Sequence, residues 1–108
     1  DEVITAVHFP VPERSAYAKF ASRPSKYALV GVFVAKTAGG VRVAVTGAGS
    51  TAFRVPALES ALSADFSSGA VTSGSVSPDD LRSDLEASAE YRAHLVTVMA
   101  RRAVEASR

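Results

Sequence analysis

The chain contains no cysteine and no tryptophan, a single methionine, and no long run of apolar residues. Without cysteine it can form no disulfide, no thiolate zinc site and no cysteine-ligated iron–sulfur cluster of its own. Any such redox metal must belong to a partner. No stretch approaches the roughly eighteen apolar residues that would span a bilayer. The opening DEVITAVHF also lacks the basic head and long apolar core of a secretory signal, so a soluble, cytoplasmic domain with no membrane partner is expected. The two histidines, His8 and His94, have no cysteine or carboxylate at metal-ligand spacing. No serine, base and acid set can be assembled from positions that the pattern brings together. Gly47-Ala48-Gly49 follows a candidate strand but has alanine at position 52, where a dinucleotide fingerprint needs its third glycine. Neither a catalytic set nor a nucleotide fold is indicated.

Acidic residues are also missing from one long stretch. Between residues 14 and 54 the sequence carries Arg14, Lys19, Arg23, Lys26, Lys36, Arg42 and Arg54 and no Asp or Glu. Residues 55–90 reverse this with Glu59, Asp65, Asp79, Asp80, Asp84, Glu86 and Glu90 against Arg82 alone, and the net charge of +1 hides the division. The cationic stretch suits either a solvated sheet face or an anionic partner. Nucleic acid is not expected, because the overall charge is small and Tyr17, Phe20, Tyr27 and Phe33 show no stacking-platform spacing. A phosphate-bearing cofactor and an acidic protein surface remain as candidates. The acids of residues 79–90 lack calcium-loop spacing and suit helix starts.

What is present is a globular composition, 47% hydrophobic and 21% charged over 108 residues, the size of one domain covering residues 1–108. Val3 to Phe9 is rich in β-branched residues and stops at Pro10, which predicts an edge strand. From Arg14 to Phe20 the alternation places Ser15, Tyr17 and Lys19 on one face and Ala16, Ala18 and Phe20 on the other. Ser22 to Lys26 reads as a loop. Tyr27–Ala35 and Val41–Thr46 predict a hairpin around Thr37-Ala38-Gly39-Gly40, with Val30, Val32 and Val34 packed beside Val41, Val43 and Val45, and Arg42 facing away. The sheet is expected to end there. A helix begins near Val55 with Pro56 in its first turn and Leu58, Ala61 and Leu62 on one side. Residues 63–78 allow a short helix at most. Ser83-Asp84-Leu85-Glu86 has capping-box spacing and Ser88 is a second candidate cap. Beyond them Tyr91, Leu95, Met99 and Ala103 recur every four residues on an amphipathic helix whose closing arginines, Arg101, Arg102 and Arg108, suit its dipole. The fold class is therefore α+β: an antiparallel sheet of three to four strands, followed by two to three helices packed on one face.

Four blocks carry a further resemblance. They are Tyr17, Lys19, Phe20 and Arg23 within Arg14–Val32; Val41 to Gly49; Phe53, Arg54, Glu59 and Leu62; and Ser88-Ala89-Glu90-Tyr91-Arg92 with Arg101-Arg102-Ala103. In order and spacing they resemble the C-terminal domain of the FAD-binding (medium) subunit of molybdenum hydroxylases, the carbon monoxide dehydrogenase and xanthine dehydrogenase family. The resemblance spans about residues 2–103. It implies an oxidoreductase component without chemistry of its own, in an enzyme where electrons pass from a molybdopterin centre through 2Fe–2S clusters to FAD. The implied partners are the N-terminal FAD-binding domain of the same subunit, the iron–sulfur small subunit and the molybdenum large subunit. It also implies that the loop from Lys19 to Lys26 lies beside the isoalloxazine, with Lys19 and Arg23 as cofactor-binding cations. The glycine-rich segments that hold the FAD pyrophosphate belong to the preceding domain, so tight FAD binding by this chain is not expected. The alternative function is a stand-alone interaction or assembly module that uses the same fold without a flavin.

Overall fold

The computed structural model describes residues 3–6, 11–21, 28–71, 76–78, 81 and 88–107. Four strands form one antiparallel sheet in sequence order: β1 Arg14–Ala21, β2 Ala28–Thr37, β3 Gly40–Thr46 and the short β4 Phe53–Arg54. Two helices follow, α1 Pro56–Ala64 and α2 Ala89–Ala106, with a 3-10 turn at Ser68–Ala70 between them.

The register explains which side of the sheet the helices cover. Residues directly opposite in antiparallel strands share a face, so the pairs Val32↔Val45 and Val34↔Val43, with Val30 and Val41, form one apolar surface. All six valines are buried, together with Leu58 and Leu62 of α1 and Leu95, Met99 and Ala103 of α2. Each fully buried side chain of this kind contributes about 2 kcal/mol of hydrophobic stabilisation. The hairpin between β2 and β3 turns at Gly40, whose φ of 127° is a backbone conformation that side chains disfavour. Thr37 braces it by donating its hydroxyl to the Gly40 carbonyl at 3.0 Å. The expected α+β architecture, the hairpin and its inward valines are all found.

Two expectations about the strands are corrected. Of the edge strand expected over Val3–Phe9, residues 7–9 lie outside the described residues, and Val3–Ala6 is not a strand: it pairs with nothing in the sheet, and Val3 and Ile4 are 84% and 82% exposed. β-branched residues favour a strand only where a partner and a surface to cover exist, and among the described residues this segment has neither. The sheet also does not end at Thr46. The chain turns through Gly47 (φ 80°) and returns antiparallel as β4, with Val45 opposite Phe53 and Ala44 opposite Arg54. A two-residue strand is too short to show as an alternation.

Helix α2 starts where Ser88 accepts the Tyr91 backbone N–H on its hydroxyl at 3.1 Å. The Ser83–Glu86 capping box lies outside the described residues. On the four-residue stripe Leu95, Met99 and Ala103 are buried but Tyr91 is not; Arg92, beside it, is only 2% exposed. Arg101 does not serve the helix end. Its guanidinium donates to the Val71 carbonyl at 3.0 and 3.2 Å, tying α2 to the segment that follows the 3-10 turn. No helix among the described residues is long and apolar enough to cross a membrane.

Candidate functional site

The uncovered face of the sheet is built by the alternate residues: Tyr17 and Lys19 of β1, Gly31 and Phe33 of β2, Arg42, Ala44 and Thr46 of β3, and Arg54 of β4. Lys19 lies opposite Gly31 and Tyr17 opposite Phe33. Lys19 is exposed, on the side away from the helices, as the alternation predicts. Tyr17 and Phe33 stay 49% and 42% exposed, an aromatic pair at the middle of the face. Gly31 makes room for the first of them. A Cβ on Gly31 would lie within 2.6 Å of the Tyr17 ring and 2.7 Å of the Thr46 hydroxyl. The phenol therefore crosses β2 over a residue with no side chain and meets Thr46 of β3, hydroxyl to hydroxyl, at 3.2 Å.

Arg23, the second candidate cation, lies outside the described residues. Lys26 lies outside them too, and the described cations of the basic stretch separate. Arg42 is on the open face, whereas Arg14 and Lys36 pair on the helix side and place their charges 5.0 and 5.5 Å from the centre of the Phe66 ring. The stretch is thus not simply one solvated face.

Arg54 sits at the sheet edge and turns to Glu59 in α1, donating to its carboxylate at 2.9 and 2.6 Å. Glu59 also accepts the buried Val43 N–H at 3.0 Å. The Arg54 hydrogen bonds hold the Glu59 carboxyl below the usual carboxylate range; burial opposes this and the Val43 N–H reinforces it. Arg92 reaches under the sheet to donate to the carbonyls of Leu29 at 2.8 Å and Gly47 at 3.1 Å. Its neighbour Tyr91 meets Phe20 edge to face, with ring centres 6.3 Å apart. Sequence reasoning placed Arg54, Glu59 and Arg92 in the resemblance blocks but gave them no task. The structure shows them to be braces that join strand ends to helices; Arg54 and Glu59 carry a signal as opposite charges five residues apart, whereas Arg92, whose acceptors are distant in sequence, carries none.

A cleft of about 400 Å³ opens at the β4 edge, lined by residues that include Ser50, Thr51, Phe53, Pro56 and Val76. It does not include Lys19, and among the described residues its walls bring no charged group into it except Arg54, which is engaged by Glu59. The open face, with its exposed aromatics and cations, is the better candidate site. Among the described residues no three His, Asp or Glu side chains converge to hold a metal.

No family model and no curated protein matches the sequence. Solved structures do match. The fold superposes on the carbon monoxide dehydrogenase from Hydrogenophaga pseudoflava that lacks the Mo-pyranopterin moiety of its cofactor, with TM-score 0.63 and 27% identity over 85% of this chain and 36% of that one. The fold resembles that of molybdenum hydroxylases. A cyanide-inactivated Cu,Mo-CO dehydrogenase gives TM-score 0.66 at 24% identity, over 89% of this chain and 37% of that one. Quinoline 2-oxidoreductase from Pseudomonas putida 86 gives 0.62 at 21% identity, over 89% of this chain and 37% of that one. The chain spans little more than a third of the length of the solved chains it matches.

Proposed function

We propose that this domain is the non-catalytic C-terminal part of the FAD-binding subunit of a molybdenum hydroxylase. It borders the flavin through Lys19 and Arg23 and packs against the FAD-binding domain, the iron–sulfur subunit and the molybdenum subunit. The observation that carries this reading is the fold shared with carbon monoxide dehydrogenases over 84–89% of the chain. The exposed position of Lys19 on the uncovered face supports it further. Molybdopterin and the 2Fe–2S clusters would sit in the partner subunits, since this chain has no cysteine to hold a cluster.

Within that assembly Lys19 has an electrostatic task. Reduced flavin is anionic, and a cation beside it favours the reduced form and raises the reduction potential. Lys19→Ala in the flavin subunit reassembled with its partners is expected to lower the flavin potential by some tens of millivolts, about 30 mV corresponding to about 1.4 kcal/mol for a two-electron couple. Substrate should still reduce the molybdenum and iron–sulfur centres at the normal rate while delivery through FAD slows. A redox titration with stopped-flow bleaching of clusters and flavin checks both; an unchanged potential and unchanged turnover would remove Lys19 from the site.

The same reading sets the affinity of the domain alone. On this reading the segments that cradle the FAD pyrophosphate belong to the FAD-binding domain, so calorimetric titration of the 108-residue chain should give no dissociation constant below about 1 μM. Binding tighter than that would mean the flavin is held here rather than by a preceding domain.

A further inference from the structure

Much of the outer edge of β3 is covered by a helix rather than by a strand. β4 pairs only with Ala44 and Val45, and Val55 adds one bond by donating its N–H to the Val43 carbonyl at 3.1 Å. Toward the hairpin the ladder stops, and side chains take over. The N–H groups of Val43 and Val41 are accepted by the Glu59 carboxylate at 3.0 Å and the Ser63 hydroxyl at 3.1 Å. Both acceptors belong to α1 and stand four residues apart. Four residues of helix rise about 6 Å, and successive outward N–H groups on one edge of a strand are about 7 Å apart, so a helix face can follow a strand edge. The order is antiparallel, as that of a strand would be: Val45 faces Phe53, Val43 meets Glu59 and Val41 meets Ser63.

The edge beneath is one that invites pairing. Gly40–Thr46 reads GVRVAVT, with alternate valines, no proline and Arg42 as its one charge, and a strand of that kind with open N–H groups is a template for another chain. The opposite edge of the sheet is protected in another way. β1 carries Arg14 and Lys19, and its ladder with β2 shifts register between Phe20 and Ala21. A second copy of β3 would fit the first without a clash of charge: in an antiparallel pair centred on Val43, Arg42 of each copy stands opposite Ala44 of the other. β4 offers little resistance to such a pair, being two residues long and joined to α1 through Val55 alone.

We propose that α1 is an edge guard: Glu59 and Ser63 stand in for a strand, and the β3 edge they cover accepts the β3 edge of a second copy once they are removed. This device belongs to the fold and does not rest on the flavin reading.

The test is sedimentation velocity of the 108-residue chain over a range of concentrations, with amide I infrared spectra to report intermolecular antiparallel strands. The Glu59→Ala/Ser63→Ala variant should associate at a concentration at least about tenfold below that needed by wild type and by Arg92→Ala. Arg92→Ala is the control for general loss of stability, since Arg92 bonds to Leu29 and Gly47 and not to Val41 or Val43. Adding Ala44→Lys to the double variant should return it to monomer. That change sets like charges opposite Arg42 in the paired copies, and because residue 44 also faces Arg54 it does not tighten β4 over the edge. Melts followed by circular dichroism establish that each variant is folded. Should the double variant be unfolded at the working temperature, Ser63→Ala alone, which frees one N–H, should still associate more readily than wild type.

An edge variant that stays monomeric wherever wild type does would overturn the proposal. So would association no stronger than that of Arg92→Ala, since partial unfolding would then account for it. Association that survives Ala44→Lys would place the contact on another surface and remove β3 from it.

Discussion

Replacing Arg92 with alanine should destabilise the domain by about 3 kcal/mol and lower its melting midpoint by about 15 °C, on the scaling of a domain of this length. The guanidinium is almost wholly enclosed, and its donors reach the carbonyls of Leu29, at the start of β2, and Gly47, just after β3. Two opposing effects must be weighed. Removing a buried cation relieves its desolvation cost, which is why well-packed apolar replacements of buried charges are often tolerated. Alanine provides no such packing. It leaves a void under the sheet and two carbonyls that have lost their donor, each worth about 1–3 kcal/mol when enclosed. Arg92→Met separates the contributions, since it restores most of the stem volume but neither hydrogen bond. Its midpoint should fall between alanine and wild type. Thermal unfolding followed by circular dichroism measures all three, and an alanine variant that melts within about 3 °C of wild type would show the brace to be dispensable.

The behaviour of Arg92 also marks the boundary of what the sequence makes legible. Local rules work where side-chain period and burial coincide. The valines of β2 and β3 alternate because one face is buried, and Tyr17 and Lys19 share the other face for the same reason. Leu58 and Leu62 in α1, and Leu95, Met99 and Ala103 in α2, follow helical spacing onto the core. Arg92 breaks the rule, because a charged residue on a helix is assigned to solvent unless its distant acceptors are known. Those acceptors lie 63 and 45 positions away in sequence. Val3–Ala6 fails in the opposite direction, since composition favours a strand where the described fold offers no partner for one. Tyr17 and Phe33 could not be recognised as a pair from spacing, because the register that sets them opposite belongs to the folded sheet. Gly31 read as one more residue in a valine-rich strand. Only the path of the phenol over it gives its lack of a side chain a purpose.

The open face and the braces divide the resemblance blocks between two tasks. Tyr17 and Lys19 face outward from β1, while Phe20, next in the chain, lies on the helix side and meets Tyr91, both rings staying partly exposed. Glu59 and Arg92 are buried in the contacts between helices and strands. Alternation along a single strand thus sends Lys19 to the open face and Phe20 to the helix side at adjacent positions. Changes at Lys19 should consequently alter binding with little effect on folding, whereas changes at Arg92 or Glu59 should act on the fold itself.

Glu59 makes that stability depend on pH in a defined direction. Its carboxylate accepts from the buried Val43 N–H and from Arg54, and its folded-state pKa is lowered, first by the Arg54 hydrogen bonds. A carboxyl whose pKa is depressed on folding contributes stability that is fully present above its unfolded pKa, about 4.3, and is lost as pH falls through the lower folded value. Unfolding free energy from urea titrations should therefore be independent of Glu59 ionisation near neutral pH and fall as the solution is acidified below about pH 5. At neutral pH Glu59→Ala should cost about 2 kcal/mol, close to 10 °C, because the enclosed Val43 N–H loses a charged acceptor. Glu59→Gln keeps an oxygen for Val43 but not the charge, so it should be less destabilising than alanine and flatten the acid limb. Arg54→Ala should cost less than Glu59→Ala, since the guanidinium is largely in water and screened there while Glu59 keeps its bond to Val43. A glutamine variant that retains the full acid dependence of wild type would show that other carboxyls control it, and that Glu59 stabilises the β3 edge only through its hydrogen bond.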